Sequence, residues 1–162
     1  MSVYPYAQSL ANPKIAPLQV VLVYPQIPPN TGNIARTCAG TCTPLHLVEP
    51  LGFEISDRWL KRAGLDYWEY VELYVHPDWE SCLAVAGRLV CFSARGKENF
   101  QEFQYKAGDW LVFGSETEGL PQEILAENST VYIPFAQPKV RSYNLSVSVA
   151  VGLFEARRQL AL

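Results

Sequence analysis

Apolar residues along this chain gather in short runs, separated by polar turns that proline punctuates. Gln19 to Tyr24 reads Gln-Val-Val-Leu-Val-Tyr, a β-branched run of strand length that Pro25 closes. Leu45 to Val48, Tyr70 to Val75, Leu89 to Phe92, Asp109 to Phe113 and a run opening at Val131 repeat the pattern. Helical segments are predicted between them. One is capped by Asn30 or Thr31 and reaches about Gly40. A short one spans Ser56 to Ala63, with Lys61 and Arg62 exposed near its end. A third is opened by Pro77-Asp78 and runs through Val85, and a fourth ends at Glu127. Strands alternating with short helices predict an α/β fold, a mostly parallel sheet flanked by helices.

The last helix carries more information. Leu145, Val149, Gly152, Leu153, Ala156 and Leu160 fall on one apolar face. Val147, Ala150, Val151 and Phe154 make a second. A surface helix needs one such face; a helix with two lies deep in the core or packs on the sheet and on a partner chain as well, and in a domain this small the second face favours a partner, a second copy of this chain. Asn144 or Ser146 caps this helix.

Composition narrows the class. Of 162 residues, 49% are hydrophobic and 18% charged, which predicts one globular domain over 18–162 behind a loose, proline-punctuated tail over 1–17. The apolar runs are too short to span a membrane, and the N-terminus lacks the charged and apolar regions of a signal peptide. Net charge is −3, which argues against a general nucleic-acid coat while leaving room for a local basic patch. Cys38, Cys42, Cys82 and Cys91 contain no C-x-x-C pair, and two histidines do not complete a zinc site. Cys82 and Cys91 read as core thiols, reduced in a cytoplasmic setting. His46 reads as a packed strand residue and His76, before Pro77, as a turn residue.

No G-x-G-x-x-G follows a strand, and neither a P-loop nor a G-x-S-x-G elbow is present. Three loops at the C-terminal ends of strands carry the chemistry instead: Asn30 to Arg36, Phe113 to Pro121, and the stretch from Ile133 to Asn144. Each alone reads as a turn. Three at one edge of a sheet read as a ligand site.

Pro29-Asn30-Thr31-Gly32-Asn33-Ile34-Ala35-Arg36, Phe113-Gly114-Ser115-Glu116-Thr117-Glu118-Gly119-Leu120-Pro121, and Ile133-Pro134 followed by Arg141-Ser142-Tyr143-Asn144-Leu145-Ser146-Val147-Ser148-Val149-Ala150 resemble the three signature motifs of the SPOUT RNA methyltransferases, in order and spacing. The resemblance runs from Leu18 to the C-terminus. The chain departs from the pattern at Ser115, where a proline is common, and by one extra residue between Pro134 and Arg141. The absence of an RNA-binding extension, together with Arg62-Ala63-Gly64-Leu65-Asp66-Tyr67-Trp68, resembles the minimal subgroup that methylates the ribose 2′-hydroxyl of the tRNA wobble nucleotide, cytidine or uridine 34.

The resemblance implies a C-terminal trefoil knot, S-adenosylmethionine as donor without a metal, the tRNA anticodon stem-loop as substrate, and a homodimer through the last helix and the knot. It implies Asn30, Arg36, Glu116, Ser142 and Asn144 as the catalytic group, with Glu116 orienting Arg36 or Asn30. A guanidinium is a poor proton acceptor, so holding ribose or phosphate suits Arg36 better. The donor would lie against Phe92, Ser93, Gly114, Glu116, Gly119, Leu120, Ile133, Ser142 and Leu145. Arg36, Lys61, Arg62, Arg95, Lys97, Lys139, Arg141, Arg157 and Arg158 are the candidate basic surface, though Arg157 and Arg158 equally suit a helix C-terminus. The rivals are the same chemistry on another tRNA or rRNA site, a non-catalytic RNA- or nucleotide-binding module, and a Rossmann-type methyltransferase, whose glycine-rich first loop is missing here.

Overall fold

The computed structural model describes residues 2–3, 16–56, 58 and 67–162. Within them the chain runs β1 (Ser2–Val3), β2 (Leu18–Val23), α1 (Pro28–Gly40), β3 (Leu45–Val48), a 3₁₀ turn (Trp68–Tyr70), β4 (Leu73–His76), α2 (Trp79–Leu83), β5 (Leu89–Phe92), β6 (Glu98–Asn99), β7 (Asp109–Phe113), α3 (Gln122–Glu127), β8 (Ser129–Tyr132) and α4 (Leu145–Leu160). The helix expected at Ser56 to Ala63, with Lys61 and Arg62, falls almost wholly outside the described residues.

The strands form one sheet in the order β1-β4-β3-β2-β7-β5-β8-β6. Every pairing is parallel except β1 with β4. Strands β2, β3, β5 and β7 are buried along their whole length. Their sequences are therefore continuous apolar runs, as in parallel sheets covered on both faces. On one face, Ile34, Ala35 and Cys38 of α1 and Val149, Leu153 and Ala156 of α4 pack with Val20, Leu22, Leu111 and Phe113. On the other, Cys82 of α2 and Ile124 and Leu125 of α3 pack with Val21, Val23, Trp110 and Val112. No helix among the described residues is long and apolar enough to cross a membrane.

Several expectations change in detail. The strand expected from Tyr70 starts at Leu73, because Trp68 anchors a 3₁₀ turn in which Tyr70 and Val71 donate back to Tyr67 and Trp68. Asp78 caps α2 by accepting from the Ser81 amide at 2.7 Å, but the helix stops at Leu83 rather than Val85. In the tail, Ser2 and Val3 pair with Val75 and Tyr74 at the sheet edge. His76 is not a turn residue. It ends β4 fully buried, with Nε2 2.9 Å from His46 Nδ1, while His46 Nε2 lies 2.6 Å from Gln19 Oε1. A following proline says where a strand stops, not which way its last side chain points. Burial, with His76 alongside, pushes His46 down to about 3, and burial lowers His76 as well. Cys38, Cys82 and Cys91 are free thiols in the core, each pushed up to about 12 by burial. Arg157 donates to the Thr41 carbonyl and Arg158 pairs with Glu155 at 2.8 Å, so both have structural partners.

Candidate active site

Strands β2, β7, β5 and β8 lie side by side and point the same way, so the loops that follow them meet at one edge of the sheet. They enclose a cavity of about 490 Å³. Phe92, Ser93, Gly114, Glu116, Gly119, Leu120, Ile133, Ser142 and Leu145, the expected donor-binding residues, all line it, as do Asn30 and Asn144. Arg36 does not.

The apolar wall is held from behind. The Phe92 ring stacks on Phe113, centroids 4.5 Å apart, and a side chain on Gly152 of α4 would meet Phe92 at 2.7 Å. The glycine at 152 is thus what lets α4 approach this ring. Gly114 is needed for a similar reason: a Cβ there would lie 2.0 Å from the Gly119 carbonyl carbon. The ribbon closes on itself at that point through a Ser115–Gly119 bridge, and Gly119 adopts φ +69°. A Cβ on Gly119 would meet no protein atom within 4 Å.

The polar wall is a relay joining all three motifs. Glu116 Oε2 accepts from the Gln26 amide at 2.8 Å; Oε1 accepts from the Ile27 amide at 3.0 Å and from Asn30 Nδ2 at 3.3 Å. Asn30 Oδ1 accepts from Asn144 Nδ2 at 3.1 Å. Asn144 Oδ1 accepts from the Ser146 and Val147 amides and so caps α4. Asn144, rather than Ser146, is the cap. Helix α1 differs from expectation. It begins at Pro28, its N-cap Ile27 makes no side-chain bond, and Asn30 and Thr31 are buried inside it. Prolines at its first positions remove donors that would otherwise be orphaned, and the Glu116 carboxylate faces the positive end of the helix instead.

Both oxygens of Glu116 are engaged in this way, so Glu116 orients Asn30 and not Arg36. Arg36 is exposed on α1 with its guanidinium carbon 5.0 Å from the centre of the Tyr67 ring. Ser142 is exposed at the cavity wall and hydrogen-bonds to no other described residue. Beside it, Phe135 and Tyr143 stack at 4.5 Å, and the Tyr143 hydroxyl donates to the Pro134 carbonyl, fixing the loop. Phe135, Tyr143, Thr117, Glu118 and Arg141 lie inside loops the sequence marks as a ligand site without being singled out there as binding residues, and Arg95 reads there only as a surface charge. The signal available is position: Arg95 lies two residues past Ser93, and the others lie within the expected loops themselves. Among the described residues no cluster of histidine, cysteine and carboxylate side chains suits a metal ion.

The arrangement offers an apolar slot, backbone exposed at glycines, and amide and hydroxyl groups converging at one end. The family model described as the SpoU rRNA Methylase family matches residues 17–154. The tRNA (cytidine(34)-2′-O)-methyltransferase of Burkholderia cenocepacia is 50% identical over 147 residues, covering 86% of this chain and 94% of that protein. A solved structure described as giving structural insights into the 2-OH methylation of C/U34 on tRNA is 47% identical, with TM-score 0.86, covering 93% of this chain and 99% of its own. An AdoMet-bound rRNA methyltransferase from Sinorhizobium meliloti is 26% identical with TM-score 0.80, over 93% of this chain and 59% of its own.

Proposed function

The chain belongs to the SpoU rRNA Methylase family, and from that premise we propose that it transfers a methyl group from S-adenosylmethionine to the ribose 2′-hydroxyl of nucleotide 34, the wobble position, of tRNA. The observation that carries the site is the relay Glu116–Asn30–Asn144, which gathers the three loops around one cavity. The residues fit a nucleoside donor. A slot of about 490 Å³ is within the range of small-molecule sites, Phe92, Leu120, Ile133 and Leu145 offer the base an apolar seat, and Gly119 leaves room a side chain would fill.

When bound, the donor supplies a methyl group already activated on a sulfonium. What remains for the protein is to place the acceptor oxygen in line and hold it there. Asn30 and Asn144 are fixed by each other, and Ser142 beside them has its hydroxyl free to meet the ribose. Glu116 keeps Asn30 in position, both of its oxygens accepting from α1 and the residues that lead into it. Arg36, outside the cavity, grips an acceptor phosphate through its guanidinium.

The acceptor is the anticodon stem-loop, met in the cytoplasm. The enzyme works as a homodimer: Val147, Val151 and Phe154 are exposed on one stripe of α4, an apolar surface that a second copy covers. The chain from β8 to α4 threads as the family's trefoil knot, a reading supported by the pairing of β8 between β5 and β6, both earlier in sequence.

Nucleoside analysis of tRNA incubated with protein and donor tests the reaction. A 2′-O-methyl group at position 34 is expected, falling about 10²-fold in rate for Asn30→Ala. Methylation of a base or of another nucleotide would select a different acceptor. Tight donor binding with no transfer to any RNA would select the non-catalytic module.

A further inference from the structure

Two charged side chains that border both the donor cavity and a neighbouring one have no partner among the described residues. Arg95 and Glu118 line the donor cavity and also an adjoining cavity of about 520 Å³ that Tyr24, Gln26 and Gln122 bound on its far side. They therefore stand at the partition between the two. Their backbones are fixed. The Arg95 amide donates to Ser93 Oγ at 3.1 Å, and the Glu118 amide to Ser115 Oγ at 3.1 Å. Their charged ends are not: neither the guanidinium nor the carboxylate forms a hydrogen bond or ion pair with a described residue, or with the other. Glu116, two residues before Glu118, shows the contrast, with both oxygens spent on α1 and Asn30. Arg141 is another cation in the wall, but it borders the first cavity alone, beside Ser142, on the side assigned to the acceptor.

The donor assigned above is apolar and aromatic at one end and zwitterionic at the other, where an α-carboxylate and an α-ammonium sit on one carbon. Each charge, on leaving water, requires a partner of its own. A partition holding one free cation and one free anion, not paired with each other, supplies both. We propose that Arg95 and Glu118 take the amino-acid end of the donor, the guanidinium on the carboxylate and the Glu118 carboxylate on the ammonium. The proposal rests on S-adenosylmethionine being the donor. It divides the cavity by chemistry: the Phe92–Ile133 wall holds the base, the Arg95–Glu118 partition holds the tail, and the Asn30–Asn144 side is left to the ribose. The bland alternative is that both are solvated surface charges with no ligand to meet.

S-adenosylhomocysteine and 5′-methylthioadenosine separate these cases, because they share nucleoside and thioether and differ by the amino-acid tail. Calorimetric titration of both into wild type, Arg95→Gln and Glu118→Gln reads the tail directly. Each substitution is expected to weaken S-adenosylhomocysteine about tenfold and leave 5′-methylthioadenosine within about twofold, the latter also reporting an intact fold. Equal loss for both ligands, or no loss for either, overturns the assignment. Failure of wild type to bind S-adenosylhomocysteine at all overturns the donor reading beneath it. Arg141→Gln is expected to weaken tRNA binding and spare both small ligands; if it weakens S-adenosylhomocysteine selectively while Arg95→Gln does not, Arg141 takes the carboxylate and the assignment to Arg95 falls.

Discussion

Six residues of helix separate Asn30 from Arg36, and that distance settles much about the site. On an α-helix it is about 9 Å of rise and about 240° of rotation. The two cannot present side chains to one cavity, although the sequence sets them in one motif. Asn30 turns inward to Glu116 and Asn144; Arg36 turns outward to Tyr67. Motif membership was legible in the sequence, and direction was not. The histidines teach the same lesson on the opposite face. Gln19 Oε1 can only accept, so His46 carries its proton on Nε2 and takes one from His76 on Nδ1. That leaves His76 Nδ1 buried with no partner among the described residues. Both rings are held neutral below their ordinary value, so below a pH of roughly 6.5 the unfolded chain binds protons that the folded chain refuses. Stability is therefore full above that pH and falls as pH drops from there toward His46's value of about 3. Thermal unfolding followed from about pH 6.5 down to about pH 5 is expected to show a loss from His46 that steepens toward about 1.4 kcal/mol per pH unit, flattened in His46→Gln. An unchanged slope in that variant would assign the acid limb elsewhere.

Among the elements, the buried parallel strands and α4 were legible because burial on two faces leaves a continuous apolar run, and a helix face leaves a period. The start of α1 was hidden. Its capping carboxylate comes from a residue 90 positions away, and no local pattern announces a partner at that range. Helix α4 carries two functions on two sides. Its N-terminus is fixed by Asn144, which also holds Asn30, while Val147, Val151 and Phe154 face outward. The proposed subunit contact and the relay therefore meet within one turn of helix. Val147→Glu, which puts a charge on the exposed apolar stripe, is expected to yield monomers by light scattering and to lower methyl transfer at least about tenfold, with the fold intact by circular dichroism. A monomeric variant with full activity would separate the contact from the chemistry.

For the whole molecule the question is how a chain of net charge −3 holds an anionic substrate. Arg157 and Arg158 are occupied within the fold and Arg95 is assigned to the donor, so among the described residues the cation left in the cavity wall is Arg141, with Arg36 farther along α1. Affinity then depends on a few phosphate contacts at one patch. The KM for tRNA is expected to rise roughly tenfold between about 50 and about 200 mM salt, with kcat little changed. A salt-independent KM would mean that shape and base contacts carry recognition.

The Glu116 clasp also bears on how the molecule is made. Gln26 and Ile27 leave the ribosome early, yet the carboxylate that receives their amides follows 90 and 89 residues later, and the amide that completes Asn30 follows it by 114. Helix α1 can form while synthesis proceeds, but its entrance stays open until nearly the whole polypeptide has emerged. A truncated or stalled translation product would carry the first motif without the residues that orient it. Catalytic competence is in this sense a proofread of chain completion: the site closes only on a polypeptide finished through Asn144.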